Sequence, residues 1–230
     1  MPYRKLVLFD IDGTLMNSDG AGNQVFVDVL TQIFDRPFSA DGFSATGKTD
    51  TQIALELSEK FGVSRDEAMT RLPDIRERYL AGFEKELTAA NPTVFAGVRE
   101  LVAAVADIPT CLIGLLTGNF EPAGWMKVES VGLREPFQMG AFGDNAPQRS
   151  DLPGRAVERA KELTGQTFEG KEIVIIGDTP NDVACGRYLD VTAIAVATGR
   201  YDESALMEAE PDFLFADFSE PSRVVDAITR

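Results

Sequence analysis

The sequence predicts an α/β fold: a Rossmann-like parallel sheet with helices on both faces, interrupted by an all-helical insertion. Three observations predict it. Apolar runs at residues 6–9, 111–116 and 173–176 show no polar alternation, so each reads as a strand buried on both faces. Helical periodicity separates such runs through residues 95–230, the pattern of a parallel sheet. Residues 16–94 carry helical periodicity and no convincing strand. The expected organisation is a core of residues 1–15 and 95–230, with a helical cap of residues 16–94.

The elements follow in order. The first strand stops at Asp10-Ile11-Asp12-Gly13-Thr14-Leu15. In extended chain, residues two apart point the same way, so Asp10 and Asp12 project together and Gly13 lets the backbone turn. Val25, Val29, Ile33 and Phe34 form one helical stripe, ended by Pro37. Residues 51–61 form a second helix. Ser64 and Glu67 read as a capping box opening a short third helix, and Pro73 as the start of a further one. In the core, residues 98–105 are helical and 111–116 a strand ending in Thr117-Gly118-Asn119. A helix over 123–131 stops at Gly132, and residues 137–142 suggest a short strand. A helix over 151–163 ends near Gly165. The strand at 173–177 delivers Asp178, a short helix follows over 181–188, and 191–196 and 213–215 are further strands.

Composition narrows the function. The chain has 230 residues, 44% hydrophobic and 26% charged, enough for one large core or a core plus a smaller domain. A net charge of −15 argues against nucleic acid, which is held by clustered Lys and Arg. No run is long enough to span a membrane. The N-terminus leads straight into a strand without a signal peptide, so a cytoplasmic location is expected. Cys111 and Cys185 read as small buried residues. With no histidine, Ser-His-Asp catalysis and His-ligated zinc are excluded, and proton transfer falls chiefly to aspartates. Both a monomer and a homodimer are compatible with this reading.

Ligands of parallel sheets bind beyond the carboxyl ends of the strands, where Asp10, Thr117 and Asp178 lie. Two carboxylates at such an end call for a cation, and Mg²⁺ suits oxygen ligands. A calcium loop fails, because Leu15 and Ala21 stand where its Gly and Glu belong.

Asp10-Ile11-Asp12-Gly13-Thr14-Leu15 resembles the first motif of the haloacid dehalogenase-like hydrolases, most of which are Mg²⁺-dependent phosphatases. The resemblance extends over nearly the whole chain. It implies an aspartyl phosphate on Asp10, acid–base work by Asp12, and phosphate held by Thr117, Gly118 and Asn119. Arg149 is aligned with the third-motif cation, with Arg155 and Lys127 as fallbacks. Gly177-Asp178-Thr179-Pro180-Asn181-Asp182 matches the acidic metal motif. Metal residues are then Asp10, Asp12 through its backbone carbonyl, Asp178 and Asp182, the last as anchor or outer partner. Asp12 separates the chain from the metal-free dehalogenase branch. The motifs look most like the phosphoglycolate phosphatase and β-phosphoglucomutase group. The expected substrate is a small phosphorylated metabolite, with a phosphomutase as the alternative.

A second motif competes. Gly42-Phe43-Ser44-Ala45-Thr46-Gly47-Lys48-Thr49 satisfies the Walker A pattern and would make Lys48 a nucleotide-phosphate ligand. That reading needs a buried strand just before the loop, and Pro37 and the charges at 35–41 oppose one. In the cap, Gly47-Lys48-Thr49-Asp50 resembles the loop that faces the active site in the same family, which implies that Lys48 contacts the non-reacting end of the substrate, a carboxylate or second phosphate.

Overall fold

A computed structural model describes residues 2–230. The chain runs β1 (Lys5–Phe9), β2 (Met16–Asn17), α1 (Asn23–Phe34), α2 (Asp50–Lys60), α3 (Arg65–Ala90), β3 (Thr93–Val94), α4 (Val98–Ala106) and β4 (Cys111–Leu116). It continues through α5 (Glu121–Ser130), β5 (Met139–Ala141), α6 (Leu152–Thr164), β6 (Ile173–Gly177) and α7 (Pro180–Cys185). The last elements are β7 (Thr192–Val196), α8 (Glu203–Met207), β8 (Phe213–Phe215) and α9 (Pro221–Thr229). Six strands form one parallel sheet in the order β5-β4-β1-β6-β7-β8.

The unalternated runs occupy the middle of this sheet, and both faces are covered. Val7, Phe9, Ile113, Leu115, Val174 and Ile176 pack with α4 and α9 residues. Leu6, Leu8, Leu112, Ile173 and Ile175 face the other way and pack with Leu152, Ala156 and Ala160 of α6. Each such Leu or Ile contributes about 1.5–3 kcal/mol by leaving water. The period of two in an apolar run divides it between two cores.

Helices α1, α2 and α3 form a third cluster around Phe26, Leu30, Leu55, Ile75, Tyr79 and Phe83. Phe26 stacks on Tyr79 at 4.2 Å between ring centroids, and Tyr79 on Phe83 at 5.4 Å. The insertion departs from the all-helical expectation in one respect. Met16 pairs with Val94 and Asn17 with Thr93 in an antiparallel ribbon, so entry and exit run side by side. Two residues per strand leave no periodicity to read. The apolar stretches at 111–116 and 173–177 form strands as expected, and Cys111 and Cys185 are buried.

The break expected at Pro73 does not occur. Ser64 caps α3, accepting the Glu67 N–H at 3.3 Å, and the helix continues through Pro73 to Ala90. Proline lacks the N–H that would bond one turn back, but Pro73 is exposed, and Leu72, Ile75, Tyr79 and Phe83 hold the helix from its buried side. Pro73→Ala should therefore raise stability by about 1–3 kcal/mol without altering helix content. Urea denaturation followed by circular dichroism checks this. No gain would mean that the two halves are separate helices.

Candidate active site

Because the strands are parallel, their C-terminal ends bring Asp10 (after β1), Thr117 (after β4) and Asp178 (after β6) to one edge. The chain winds to either side of β1, whose neighbours are β4 and β6. Ladder-like bonds continue past the strands: the Asp10 N–H reaches Ile176 O at 2.9 Å, and the Thr117 N–H reaches Ala141 O at 3.0 Å. Gly13 turns the chain at φ 82°, and a Cβ there would collide with the Asp178 carboxylate.

Three buried carboxylates meet one guanidinium. Asp10, Asp178 and Asp182 each present an oxygen within 4.8 Å of the others. Arg149, 7% exposed, lies on a short 3-10 turn before α6. Its Nη2 is 3.0 Å from Asp10 Oδ1 and also bonds Asp182 Oδ1. Asp182 Oδ2 accepts from the Thr179 N–H at 3.0 Å and hydroxyl at 2.6 Å, so both its oxygens are engaged. Asp178 Oδ1 accepts from Thr14 Oγ1 at 3.2 Å. Asp10 Oδ1 accepts no aligned hydrogen bond although it is buried beside Arg149.

The charge balance is unfavourable as it stands. Burial pushes Asp10 up to about 7 despite Arg149, with Asp182 and Asp12 adding to the rise. Burial, Asp182 and Asp10 together push Asp178 up to about 8. Burial disfavours the Arg149 charge, but Asp10 and Asp182 outweigh it and hold the guanidinium protonated. An oxygen-only donor set, an orphaned Asp10 oxygen and excess negative charge fit Mg²⁺. Asp10 and Asp178 have the oxygens to spare for direct ligation, and Asp182 anchors Arg149.

The Asp12 side chain turns away from this cluster. It accepts from Lys127 Nζ at 2.6 Å, Asn119 Nδ2 at 2.9 Å and Ser18 Oγ at 2.6 Å. Burial would raise its pKa, but Lys127 and these hydrogen bonds outweigh burial and lower it. Asn119 Nδ2 also donates to Thr117 Oγ1 at 2.7 Å, and its Oδ1 accepts from Lys127 at 2.7 Å. Lys127 is thus not the partner of Asp10 but the cation under Asp12. Arg155 donates to Asp144 O and Asn145 O, both at 2.7 Å.

The insertion lies over this edge. The Asp50 N–H donates to Gly118 O at 2.7 Å, and Asp50 Oδ2 accepts from the Phe120 N–H at 2.7 Å. Thr51 Oγ1 donates to Gly143 O at 2.7 Å, and Thr49 Oγ1 to Ala146 O. A Cβ on Gly118 would collide with Lys48 O. Burial raises Asp50 to about 7, partly offset by Lys127 and the Phe120 N–H. A cavity of about 460 Å³ remains between the layers, lined by Asp10, Asp12, Thr117, Arg149, Asp178 and cap residues including Lys48 and Tyr79. Gly118 and Asn119 line it too.

The Walker-like segment lies in the connection from α1 to α2, without a strand before it among the described residues. Lys48 Nζ is 2.6 Å from Glu56 and 4.4 Å from the Phe43 ring centroid. This is no phosphate loop, and the P-loop alternative is set aside. Sequence reasoning did not single out Ser18, placed Asp50 only within the loop expected to face the site, and gave Lys127 another role. Lys127 had a readable signal as a lysine one helix beyond Thr117. The bond from Asp50 to the Phe120 N–H had none, since only the tertiary fold brings the two together.

The fold and the strand-end carboxylates define a class of hydrolase, and comparison names it. The family model "Hydrolase: haloacid dehalogenase-like hydrolase" matches residues 4–190. The chain belongs to the haloacid dehalogenase-like hydrolases. A phosphoglycolate phosphatase from Synechococcus elongatus is 24% identical over 226 residues, 97% of each chain. Another from Chromobacterium violaceum is 30% identical over 131 residues, 56% of each chain. A predicted phosphatase from Clostridium acetobutylicum shares the fold with a TM-score of 0.73 at 17% identity, covering 97% of this chain and 99% of that one. Among the described residues, no helix is long and apolar enough to cross a membrane.

The raised carboxylates set a pH dependence. Metal-free, the folded protein keeps protons on Asp10 and Asp178 that the unfolded chain, with carboxylates near 3.8, has released. Stability should fall as pH rises from about 4 to about 8. In EDTA, Tm is expected to drop between pH 5 and pH 8. Mg²⁺ should restore it, and by more at pH 8, where protons no longer compete for the same oxygens. Scanning fluorimetry checks both. An equal Mg²⁺ shift at the two pH values would contradict the assignment.

Proposed function

We propose that this phosphoric monoester hydrolase is Mg²⁺-dependent, works through an aspartyl phosphate on Asp10, and acts on a small phosphorylated metabolite. The observation that carries the reading is Asp10 itself. It is buried at the central strand end, borders the cavity, lies beside Arg149 and has one oxygen without a hydrogen bond.

An Asp10 oxygen attacks phosphorus, and the bond from phosphorus to the alcohol oxygen breaks. Asp12 protonates that leaving oxygen, then takes a proton from the water that attacks phosphorus, which breaks the bond from phosphorus to the Asp10 oxygen and frees phosphate. Lys127, Asn119 and Ser18 keep Asp12 ionised, the form required for the second step. A bound phosphoryl dianion raises its proton affinity for the first. Thr117 and the backbone of Gly118 and Asn119 cradle phosphoryl oxygens, and Arg149 offsets their charge. Asp10 and Asp178, with the Asp12 carbonyl, would hold Mg²⁺, whose charge offsets that of the phosphoryl group. The cap closes over the site and limits water. Lys48 borders the cavity with its charge matched by Glu56. The names of the full-length relatives support a substrate of phosphoglycolate type.

The test is phosphate release from aryl and alkyl phosphates and from phosphoglycolate, with Mg²⁺ or EDTA. Activity should require Mg²⁺ and fall at least about a thousand-fold in Asp10→Asn. Activity that survives either change would overturn the mechanism. Isomerisation of a sugar phosphate without phosphate release would mark a phosphomutase instead. Asp12→Asn should cost about 10²–10⁴-fold with alkyl esters and much less with p-nitrophenyl phosphate, whose leaving group needs no proton. Equal losses would remove Asp12 from the acid role.

A further inference from the structure

Four cationic side chains line the cavity: Lys48, Lys127, Arg149 and Arg200. Three are already matched. Arg149 lies against Asp10 and Asp182, Lys127 against Asp12, and Lys48 against Glu56. Among the described residues, Arg200 alone of the four has no carboxylate within ion-pair distance, and it donates no hydrogen bond. In a chain of net charge −15, an unmatched guanidinium beside a substrate cavity stands out as an anion site.

Its backbone is anchored to the reacting centre. The loop after β7 is tied down by Thr198 Oγ1, which donates to Gly13 O at 2.6 Å. Gly199 lies so close to Asp178 that a Cβ would collide with its carboxylate. Arg200 therefore leaves the loop from a fixed root beside the proposed metal ligand. The side chain also borders a smaller chamber of about 130 Å³, with Phe26, Phe43, Ile53 and Leu57 among its walls. Neither Asp10 nor Thr117 nor Arg149 lines that chamber, so Arg200 borders both the main cavity and a space beyond its phosphoryl-end residues.

We propose that Arg200 binds a second anionic group on the leaving alcohol, so that the preferred substrates are phosphomonoesters whose alcohol carries a carboxylate or a further phosphate. A guanidinium matches either group with paired hydrogen bonds. Glu56 already occupies Lys48, so the discriminating charge comes from the core loop and not from the cap. The assignment rests on the phosphomonoesterase reading above.

Non-hydrolysable phosphonates separate the two ideas. Calorimetric titration of the wild-type protein with Mg²⁺ present compares propylphosphonate, 3-phosphonopropionate and propane-1,3-bisphosphonate. At least one doubly anionic probe should bind about ten-fold or more tightly than propylphosphonate, and the larger gain tells carboxylate from phosphate. Arg200→Gln should abolish that preference and leave propylphosphonate binding unchanged, while Arg200→Lys should keep part of it. Equal binding of all three probes, or a preference that survives Arg200→Gln, overturns the assignment of Arg200. If none of the three probes binds, the underlying phosphomonoesterase reading falls and this one with it. Arg200 is exposed and unpaired, so the variants should melt with the wild type.

Discussion

Arg149 inserted between Asp10 and Asp182 is the interaction on which the site depends. Three carboxylates converge at the ends of neighbouring strands, where burial makes negative charge costly. A single guanidinium offsets part of that charge, and Asp182 fixes it in place with one oxygen while its other oxygen caps α7 through Thr179. Asp10 is left beside a cation but without a hydrogen bond on Oδ1. Satisfying that oxygen within the protein would stabilise the fold and blunt the proposed nucleophile. On the proposed mechanism, that unpaired oxygen is kept for the metal and the phosphoryl group.

The second carboxylate pair obeys a different logic. Asp12 is two residues from Asp10, yet its side chain belongs to a separate network with Lys127, Asn119 and Ser18. Opposite environments push the two aspartates apart, Asp10 up and Asp12 down. The Asp10 network holds the carboxylates that could take a metal, and Lys127 of the Asp12 network lies 5.4 Å from the Phe83 ring centroid of the insertion. Asn119 joins Asp12 to Thr117, so one amide positions both the proposed proton-transfer group and the proposed phosphate cradle. The insertion contributes more than a cover. Asp50 and Thr51 bond to the backbone of the loops after β4 and β5, and Gly118 is small enough to let Lys48 O approach.

Much of this was legible in the chain. The unalternated runs before Asp10, Thr117 and Asp178 announced buried parallel strands, and parallel strands must deliver their ends to one edge. Arg149 could be named because the family resemblance implies a third-motif cation and Arg149 stands just before a helix where that cation aligns. Less local features were hidden. Pro73 looked like a boundary because propensity disfavours it, whereas packing of Ile75, Tyr79 and Phe83 overrides that preference. The two-residue ribbon at Met16 and Val94 is too short for any period. α8 and α9 went unread, being short and close to the end of the chain. Lys127 was seen as an alternative to Arg149, although the two serve different aspartates, a distinction that only distance can make. The Walker-like Lys48 shows the converse, a matching pattern in a context without the strand that gives it meaning.

The central claim is that phosphoryl transfer passes through Asp10 before water. The most direct test is the stereochemical course of hydrolysis of a phosphomonoester made chiral at phosphorus with oxygen isotopes. Two successive in-line displacements, first by Asp10 and then by water, predict net retention of configuration. Net inversion would mean that water attacks the substrate directly, and it would contradict the account.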